Sequence, residues 1–212
     1  MKLYHGSSSR KIKAFNFRHS RKNLDFGKGI YFTTNFDQAK AWSCRNQSEG
    51  AVYECDIDLS QFNVLSYQEK EQNLLAILCL CRIGLEEIAP DAIDGYENTD
   101  VIWGRMLDGR MANFSDLAER FNGGEISYPE FEKQVELYEE SYDQLCIKSK
   151  KALETVNASI SKVYHTKKTK GKIDIVNQID YGANETTLEL DEDSLQRKKT
   201  LSNVVTLELV KG

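Results

Sequence analysis

The sequence predicts an α+β fold, and two kinds of periodicity carry this prediction. Residues 51–59 alternate between apolar and polar side chains, which is typical of a strand with one buried face. Residues 70–88 and 128–138 instead contain apolar residues in patterns typical of helices. The chain of 212 residues is long enough to bury a core in one domain, with room for a small appendage.

The first predicted strand covers residues 2–5, and a polar, basic loop follows over residues 7–23. Further on, Asn35 and Gln38 have the spacing of a helix start and predict a helix to about residue 46. Trp42 falls on the apolar stripe of this helix, so we expect it in the core. Residues 51–59 should form a half-exposed strand, with residues 63–67 as its short partner.

Three helices and two strands are predicted between residues 70 and 156. The helices cover about residues 70–88, 111–121 and 128–138, and the last begins at a reciprocal cap of Ser127 with Glu130. Residues 100–104 and 144–147 are the predicted strands, and residues 149–156 form a further helical turn. Residues 158–164 complete the set as a strand.

The composition changes after residue 164 and predicts two parts, a domain over residues 1–164 and an extension over residues 165–212. A lysine-rich stretch is followed by residues rich in Thr, Asn, Asp and Glu, with few aromatic side chains. Such a segment buries little apolar surface to offset its ordering entropy, so we expect residues 165–202 to be largely mobile. Residues 204–210 have the pattern of an edge strand or of a segment that binds a partner.

Composition excludes several classes of protein. The net charge of −5 gives no global attraction to nucleic acid, so such a substrate would need a local basic patch. Five cysteines without regular spacing and an N-terminus without a signal-like pattern favour a reducing cytoplasm. Cys79 and Cys81 lack zinc-site spacing, so we expect no metal. The apolar run over residues 74–81 is too short to cross a membrane.

Two motifs carry possible chemistry. His5 interrupts the apolar run Leu3-Tyr4-His5-Gly6-Ser7, and Tyr31 lies in a segment that begins Asp25-Phe26-Gly27-Lys28-Gly29. A histidine in such a run is more often structural than catalytic, and a lone Gly-x-Gly is weak. Glycines before an aromatic strand nevertheless let the backbone approach a ligand closely. Together the motifs predict two strands that present His5 and Tyr31 to a shared cleft.

These stretches resemble the ADP-ribosyltransferase superfamily, in the branch whose core is read as His-Tyr-Glu. They are most similar to the DUF3990 family of small bacterial proteins, which share a Tyr-His-Gly-Ser start and an Asn-Leu-Asp-Phe-Gly-Lys-Gly segment. The matching residues here are 4–7 and 23–31, and the resemblance continues through residues 37–42, 100–104 and 143–147. It fades after about residue 153.

The resemblance implies a fold with a split pair of short antiparallel sheets and peripheral helices. It also implies that NAD is the substrate and that its nicotinamide-ribose bond is cleaved. His5 would bond a ribose hydroxyl, Gly6 would offer backbone groups to the nicotinamide amide, and Tyr31 would stack on the nicotinamide ring. The remaining expected contacts to the dinucleotide come from the basic loop and the glycine segment, namely Arg21, Asp25, Gly27 and Gly29.

The third catalytic position departs from the superfamily pattern. Where a glutamate often stands, this chain has Gln144, whose amide can orient a ribose but supplies no charge and cannot act as a base. Another carboxylate would have to compensate, although a solvated surface position is the commoner one for each acid nearby. Asp25 precedes the glycine segment, and three acids lie near Gln144: Glu139, Glu140 and Asp143.

Three functions remain open from the sequence. The first is transfer of a single ADP-ribose unit to a macromolecule, protein or nucleic acid, by a bacterial toxin with an antitoxin partner, as the resemblance implies. The second is a silent module that binds NAD or ADP-ribose, which the neutral Gln144 favours. The third is an interaction protein in which the His-Tyr pair only packs.

Overall fold

The structure, a computed structural model, describes residues 1–85, 93, 95–108 and 111–181. Within these residues the chain has a mixed α+β architecture with two four-stranded sheets. In the first sheet all neighbouring strands are antiparallel. Its strands, in spatial order, are β1 (Lys2–Ser7), β3 (Glu49–Asp56), β7 (Ile160–Thr169) and β8 (Lys172–Asp180).

The second sheet is mixed, which corrects the expectation of two antiparallel sheets. Its strands, in spatial order, are β2 (Ile30–Phe32), β6 (Asp143–Ile147), β5 (Val101–Arg105) and β4 (Val64–Tyr67). The β4 and β5 strands are parallel, and the long crossover that a parallel pair requires connects them. The predicted pairing of residues 63–67 with residues 51–59 is therefore wrong, since β4 and β3 lie in different sheets.

The described residues contain five α-helices, and local sequence signals explain two of their starts. These helices are α1 (Phe36–Ser43), α2 (Gln72–Arg82), α3 (Phe114–Asn122), α4 (Tyr128–Gln134) and α5 (Lys150–Ala158). Asn35 caps α1 by accepting a hydrogen bond from the Gln38 N–H at 3.0 Å. Ser127 and Glu130 form the predicted capping box of α4.

Two apolar clusters lie on opposite faces of the second sheet. The inter-sheet cluster contains side chains of β1, β3 and α5 together with Phe32 and Leu145. The helix-side cluster contains side chains of α2, α3 and α4 together with Tyr31 and Cys146. Successive residues of β2 and β6 therefore contribute to different clusters, as strand alternation requires.

The β3 strand is buried on both faces, so the prediction of a half-exposed strand is wrong. It lies between β1 and β7, and α1 packs against the face that the alternation pattern assigned to solvent. Glu54 on that face is only 4% exposed. Its carboxylate accepts hydrogen bonds from the Lys2 ammonium at 2.6 Å and the Tyr164 hydroxyl at 2.9 Å. Pairing of this kind allows a charged residue to be buried.

Trp42 is 40% exposed, so its expected place in the core is wrong. The helix α1 ends at Ser43, three residues earlier than predicted, and Trp42 lies in its last turn. Its indole ring is covered by the guanidinium of Arg45, whose Cζ lies 4.2 Å from the ring centroid. The inward positions of α1 are held instead by Phe36, which packs edge-on against Tyr4, and by the buried Ala39.

Residues 165–180 form strands, which differs from the expected mobility of this stretch. The β7 strand continues through residue 164 to Thr169, and a two-residue turn leads directly into β8. Lys170 and Gly171 both have positive φ, 50° and 85°, as the common tight hairpin turn requires. Composition does not predict this hairpin, because β8 is largely exposed and is held by its backbone pairing with β7 and not by apolar burial. The edge strand predicted over residues 204–210 lies outside the described residues.

The described part of the chain bears on disulfides, metal-binding clusters and membrane-spanning helices. All five cysteines are buried and free. Within residues 1–85, 95–108 and 111–181, no group of His, Cys, Asp and Glu side chains is arranged to hold a metal ion. In the same part of the chain, no helix has the length and hydrophobicity needed to cross a membrane.

Candidate functional site

The candidate site begins where β1 and β2 separate. Tyr4 and Thr33 exchange two backbone hydrogen bonds, with N···O distances of 2.8 and 2.9 Å. Because backbone groups alternate along a strand, the N–H and C=O of Gly6 point toward the same edge as those of Tyr4. No residue of β2 bonds to Gly6 in the part of the chain that the structure describes. We call the resulting opening, bounded by Gly6, His5 and Tyr31, the β1–β2 gap.

His5 bridges the β1–β2 gap. Its Nδ1 lies 2.7 Å from the backbone carbonyl oxygen of Tyr31 and donates a hydrogen bond to it, since a carbonyl only accepts. The imidazole also packs against Phe15 and Phe32, with ring centroids 4.8 and 5.4 Å away. The Nε2 atom has no partner among the described residues and is not sealed from solvent.

The electrostatics of His5 favour its neutral form. Burial lowers the pKa of the imidazole, and the hydrogen bond to the Tyr31 carbonyl offsets this only in part. With Nδ1 protonated and donating, Nε2 of the neutral ring is an acceptor. The site therefore presents a hydrogen-bond acceptor at Nε2, suited to a hydroxyl group.

Tyr31 connects the gap to the glycine segment. Its hydroxyl accepts a hydrogen bond from the Phe26 N–H at 3.0 Å and donates one to the Gly27 carbonyl at 2.7 Å. Burial raises the pKa of Tyr31 well above its ordinary value, so the hydroxyl remains protonated. The phenol ring packs with the helix-side cluster, whereas His5 packs against Phe32 on the other side. The structure thus joins His5 to the Tyr31 backbone and does not bring the two rings into contact.

The glycines of both motifs are explained by close packing of protein segments. A Cβ on Gly6 would lie 2.0 Å from the Ala39 carbonyl oxygen of α1. A Cβ on Gly29 would lie 2.2 Å from the Cys146 sulfur. Gly27 has a φ of 69° and ends a turn in which its N–H bonds to the Leu24 carbonyl. Packing thus requires Gly29 and backbone conformation requires Gly27, and neither glycine needs a ligand to explain it.

Gln144 and Asp25 form a buried pair beside Tyr31. The Gln144 Nε2 donates to the Asp25 Oδ2 at 2.7 Å, and the Leu107 N–H donates to the same oxygen at 3.1 Å. The other Asp25 oxygen lies 3.3 Å from a guanidinium nitrogen of Arg82. Gln144 and Asp25 are 7% and 8% exposed. The Oε1 of Gln144 accepts no hydrogen bond from the described residues, so it remains available to a ligand.

The environment of Asp25 opposes ionisation overall. Burial raises the pKa of its carboxyl, and the Gln144 amide, the Arg82 guanidinium and the Leu107 N–H reduce this shift. A carboxyl with these neighbours becomes charged at a higher pH than an exposed aspartate. The pair therefore combines a titratable acid with the neutral amide of Gln144.

Asp143 is buried and accepts four hydrogen bonds, a structural role that the sequence did not predict. Its carboxylate accepts hydrogen bonds from the hydroxyls of Thr33 at 2.6 Å and Thr34 at 2.8 Å, from the Thr34 N–H at 2.9 Å and from the Trp103 indole N–H at 2.8 Å. These bonds hold the end of β2 against β6. Glu139 and Glu140, the other acids near Gln144, are exposed.

The remaining expected site residue, Arg21, is exposed and forms no side-chain hydrogen bond or ion pair with the rest of the described chain. Sequence reasoning also missed Lys148, which donates hydrogen bonds to the Phe26 carbonyl and the Tyr96 hydroxyl, both at 2.9 Å. A shallow concavity of about 310 Å³ lies elsewhere, between β4 and the residues before β5. It contains none of the expected site residues.

The fold and site define an α+β protein with two sheets and a gap between β1 and β2, where the Gly6 backbone, the His5 imidazole and the Tyr31 carbonyl lie together. Residues 1–158 match the family described as a protein of unknown function, DUF3990, and the chain belongs to this family. Neither a curated protein nor a solved structure matches the chain.

Proposed function

We propose that this protein is an NAD-dependent mono-ADP-ribosyltransferase that uses the β1–β2 gap as its nicotinamide site. The open N–H and C=O of Gly6, next to the Nε2 of His5, are the observation that carries the proposal. A carboxamide has one acceptor oxygen and an NH₂ donor, which complement the N–H and C=O of a single residue. Such a pair orients the leaving group without any side chain.

His5 fits the role of a ribose ligand. Its Nε2 accepts hydrogen bonds, while its Nδ1 is held by the Tyr31 carbonyl, so the ring orientation is fixed before substrate arrives. A hydroxyl of the adenosine-side ribose would donate to Nε2. The resemblance assigns the Tyr31 ring to nicotinamide stacking, which requires the nicotinamide to reach the helix-side face on which this ring packs.

The buried pair of Asp25 and Gln144 would supply the negative charge that Gln144 alone lacks. Cleavage of the nicotinamide-ribose bond develops positive charge on the ribose, as in glycoside hydrolysis, and a nearby carboxylate stabilises that charge. Gln144 would bond a ribose hydroxyl through its free Oε1, and ionised Asp25, held by the Gln144 amide, would supply the negative charge. Two residues would then perform the task that a single glutamate performs in the superfamily pattern.

The reaction balances without a metal or a redox partner. The bond between C1′ of the ribose and the nicotinamide nitrogen breaks, and its electron pair leaves with neutral nicotinamide. A nucleophilic atom of the acceptor forms the new bond to C1′ and releases its proton to solvent. Because Gln144 cannot act as a general base to activate a second ADP-ribose, we favour transfer of a single unit over chain elongation.

Nicotinamide release from NAD tests this proposal. We expect His5→Ala, Gln144→Ala and Asp25→Asn each to reduce turnover by about two orders of magnitude, the usual loss when one electrostatic group is removed. Glu139→Gln and Glu140→Gln are matched controls, since both side chains are exposed. Undiminished turnover in the first three variants, with normal folding, would overturn the assignment.

A silent binding module is the second candidate. The observation that favours it is the near-complete burial of Asp25 and Gln144, which already satisfy each other. Calorimetry with NAD, alongside the release assay, separates the two functions. Binding of intact NAD with no release by the wild type would establish the binding module.

The resemblance stated for the sequence extends the proposal to a cytoplasmic bacterial toxin with a neutralising protein partner. Expression in a bacterial host tests this role. We expect growth arrest with the wild type and normal growth with His5→Ala, and equal growth with both proteins would count against a toxin.

A further inference from the structure

We propose that residues 10–28, here called the basic segment, bind single-stranded nucleic acid, and that this strand is the acceptor of ADP-ribose. The acceptor role depends on the proposed transferase function, whereas the binding does not. The inference comes from the charge distribution, the exposure of the cations and the path of the segment past His5.

Charge is divided very unevenly along the chain. Residues 1–24 contain seven Lys and Arg residues and no Asp or Glu. The whole chain has 28 Lys and Arg against 33 Asp and Glu, so residues 25–212 retain 21 cationic and 33 acidic residues, a net charge of −12. A basic N-terminal segment on an acidic protein indicates an anionic ligand specific to that segment.

The cations of the basic segment are available. Five of them are exposed and have no side-chain hydrogen bond or ion pair within the described residues: Lys11, Lys13, Arg18, Arg21 and Lys28. Arg10 differs, because it pairs with Glu49 at 2.8 Å. A set of unpaired cations of this size repels itself unless an anion binds to it.

The basic segment has a fixed course over the site. The Ile12 N–H donates to the Tyr53 hydroxyl at 2.9 Å. Asn157 of α5 holds Phe15 by two hydrogen bonds, accepting from its N–H at 2.7 Å and donating to its carbonyl at 2.9 Å. The buried Phe15 ring lies against His5, with centroids 4.8 Å apart. These inward contacts leave the cations on the solvent side of a segment whose Phe15 ring packs against His5.

The number of cations exceeds what NAD needs. A pyrophosphate has one charge per phosphate, and a pair of cations is enough to neutralise it. A nucleic acid strand carries one charge per nucleotide and can engage the whole basic segment. Phe17, which is half-buried, and the planar guanidinium of Arg18 also offer surfaces on which bases stack.

A single strand fits better than a duplex or a folded acidic protein. Both of the latter are wide and would bring further negative charge against the acidic remainder of the molecule. A single strand is narrow enough to follow the basic segment alone, and its unpaired bases can reach the gap. The transfer would form a bond between C1′ and a nitrogen or oxygen of the nucleotide, with loss of nicotinamide and of the proton from that atom.

Fluorescence anisotropy without NAD tests the binding site. The probe is a labelled 20-nucleotide single strand, as DNA and as RNA, titrated with full-length protein at several salt concentrations. The test variant carries Lys11→Gln, Lys13→Gln and Arg18→Gln, and the control carries Lys150→Gln and Lys172→Gln at exposed positions outside the segment. We expect at least a tenfold weaker affinity for the test variant, and a salt slope less steep by about 2. The control should bind like the wild type.

Three outcomes would overturn the inference. The first is a lack of binding by the wild type, and the second is equal binding by the test variant and the control. The third is displacement of the strand by poly-glutamate at the same charge concentration, which would make the ligand an acidic polypeptide.

The acceptor role is tested separately with labelled NAD. We expect the wild type to label the oligonucleotide, and the test variant to release nicotinamide but to label the strand at least tenfold less. Strand binding without any release of nicotinamide would overturn the transferase and the acceptor role while the binding site stands. Release with label on neither form of the strand would overturn the acceptor role alone.

Discussion

Asp25 and Gln144 lie 119 positions apart in the sequence, yet their side chains meet in a buried hydrogen bond of 2.7 Å. The pair links the turn before β2 to the start of β6, on the helix-side face of the second sheet. In the proposed active site this pair would supply a carboxyl beside Gln144, whose own amide is neutral. The protonation state of Asp25 therefore becomes the main determinant of the proposed chemistry.

The rate of NAD turnover should rise with pH through the raised pKa of Asp25. Only the ionised carboxylate stabilises a cationic ribose. The acid limb of the pH profile, where the rate falls as the pH is lowered, should therefore lie above the ordinary aspartate pKa of about 4. Arg82→Gln removes a positive charge 3.3 Å away and should move that limb to higher pH. The measurement is a pH profile of nicotinamide release, with Glu139→Gln as a control that leaves the limb in place.

The free energy of unfolding should fall as the pH rises and Asp25 ionises, whereas the rate of NAD turnover should rise. Its pKa is higher in the folded state than in the unfolded state, so the folded protein binds more protons between those two values. This contribution to stability is present at low pH and is lost as the pH rises through the folded pKa. Asp25→Asn should flatten the pH dependence of the urea midpoint in that window, and an unchanged profile would contradict the assigned shift.

The two parts of the Tyr31 side chain should have separable effects. Tyr31→Phe removes the hydroxyl that binds Phe26 and Gly27, and we expect a loss of about 1–3 kcal/mol in the free energy of unfolding. The ring remains, so NAD binding should change little. Tyr31→Leu removes the ring as well and should weaken NAD binding at least tenfold, as measured by calorimetry. Equal NAD affinity in both variants would exclude a stacking role.

Gly6 should tolerate no side chain, because its Cβ would lie 2.0 Å from a backbone oxygen of α1. We expect Gly6→Ala to reduce the free energy of unfolding by about 3 kcal/mol or more, since α1 must move away from β1. Gly124→Ala is a suitable comparison, because its only penalty is a positive φ of 75° in open space and should be about 1–2 kcal/mol. Similar losses in the two variants would show that α1 adjusts easily.

Asp143→Asn should destabilise the junction of β2 and β6. The carboxylate accepts from two hydroxyls, one N–H and one indole N–H, whereas an asparagine turns one acceptor atom into a donor. At least one partner then loses its bond, at a cost of about 1–3 kcal/mol in urea unfolding. Glu140→Gln, at an exposed position, should change stability by less than about 0.5 kcal/mol.

Local sequence signals predicted the elements of this fold more successfully than their partners. The cap at Asn35 and the capping box at Ser127 depend on neighbours within four residues, and the structure confirms both. The burial of Glu54 depends on α1 and on Tyr164, which is more than a hundred residues away. Alternation alone cannot reveal a second covering layer, so β3 was assigned an exposed face that it does not have.

For the candidate site, too, local features could be predicted from the sequence better than tertiary contacts. The motifs predicted that His5 and Tyr31 face a shared cleft, whereas the structure joins His5 to the Tyr31 carbonyl by a 2.7 Å bond and directs the two rings to different sides. The opposite orientations of the two rings follow from the register of β2 with β6, which no local pattern specifies. The pairing of Asp25 with Gln144 is tertiary for the same reason.

Tyr31 is attached at both ends, through its carbonyl to His5 and through its hydroxyl to the turn at Phe26 and Gly27. A displacement of that turn would consequently be transmitted through Tyr31 to the imidazole. The tautomer of His5 is thereby coupled to the conformation of the loop, so that the nitrogen-15 shifts of a single histidine would report on both at once.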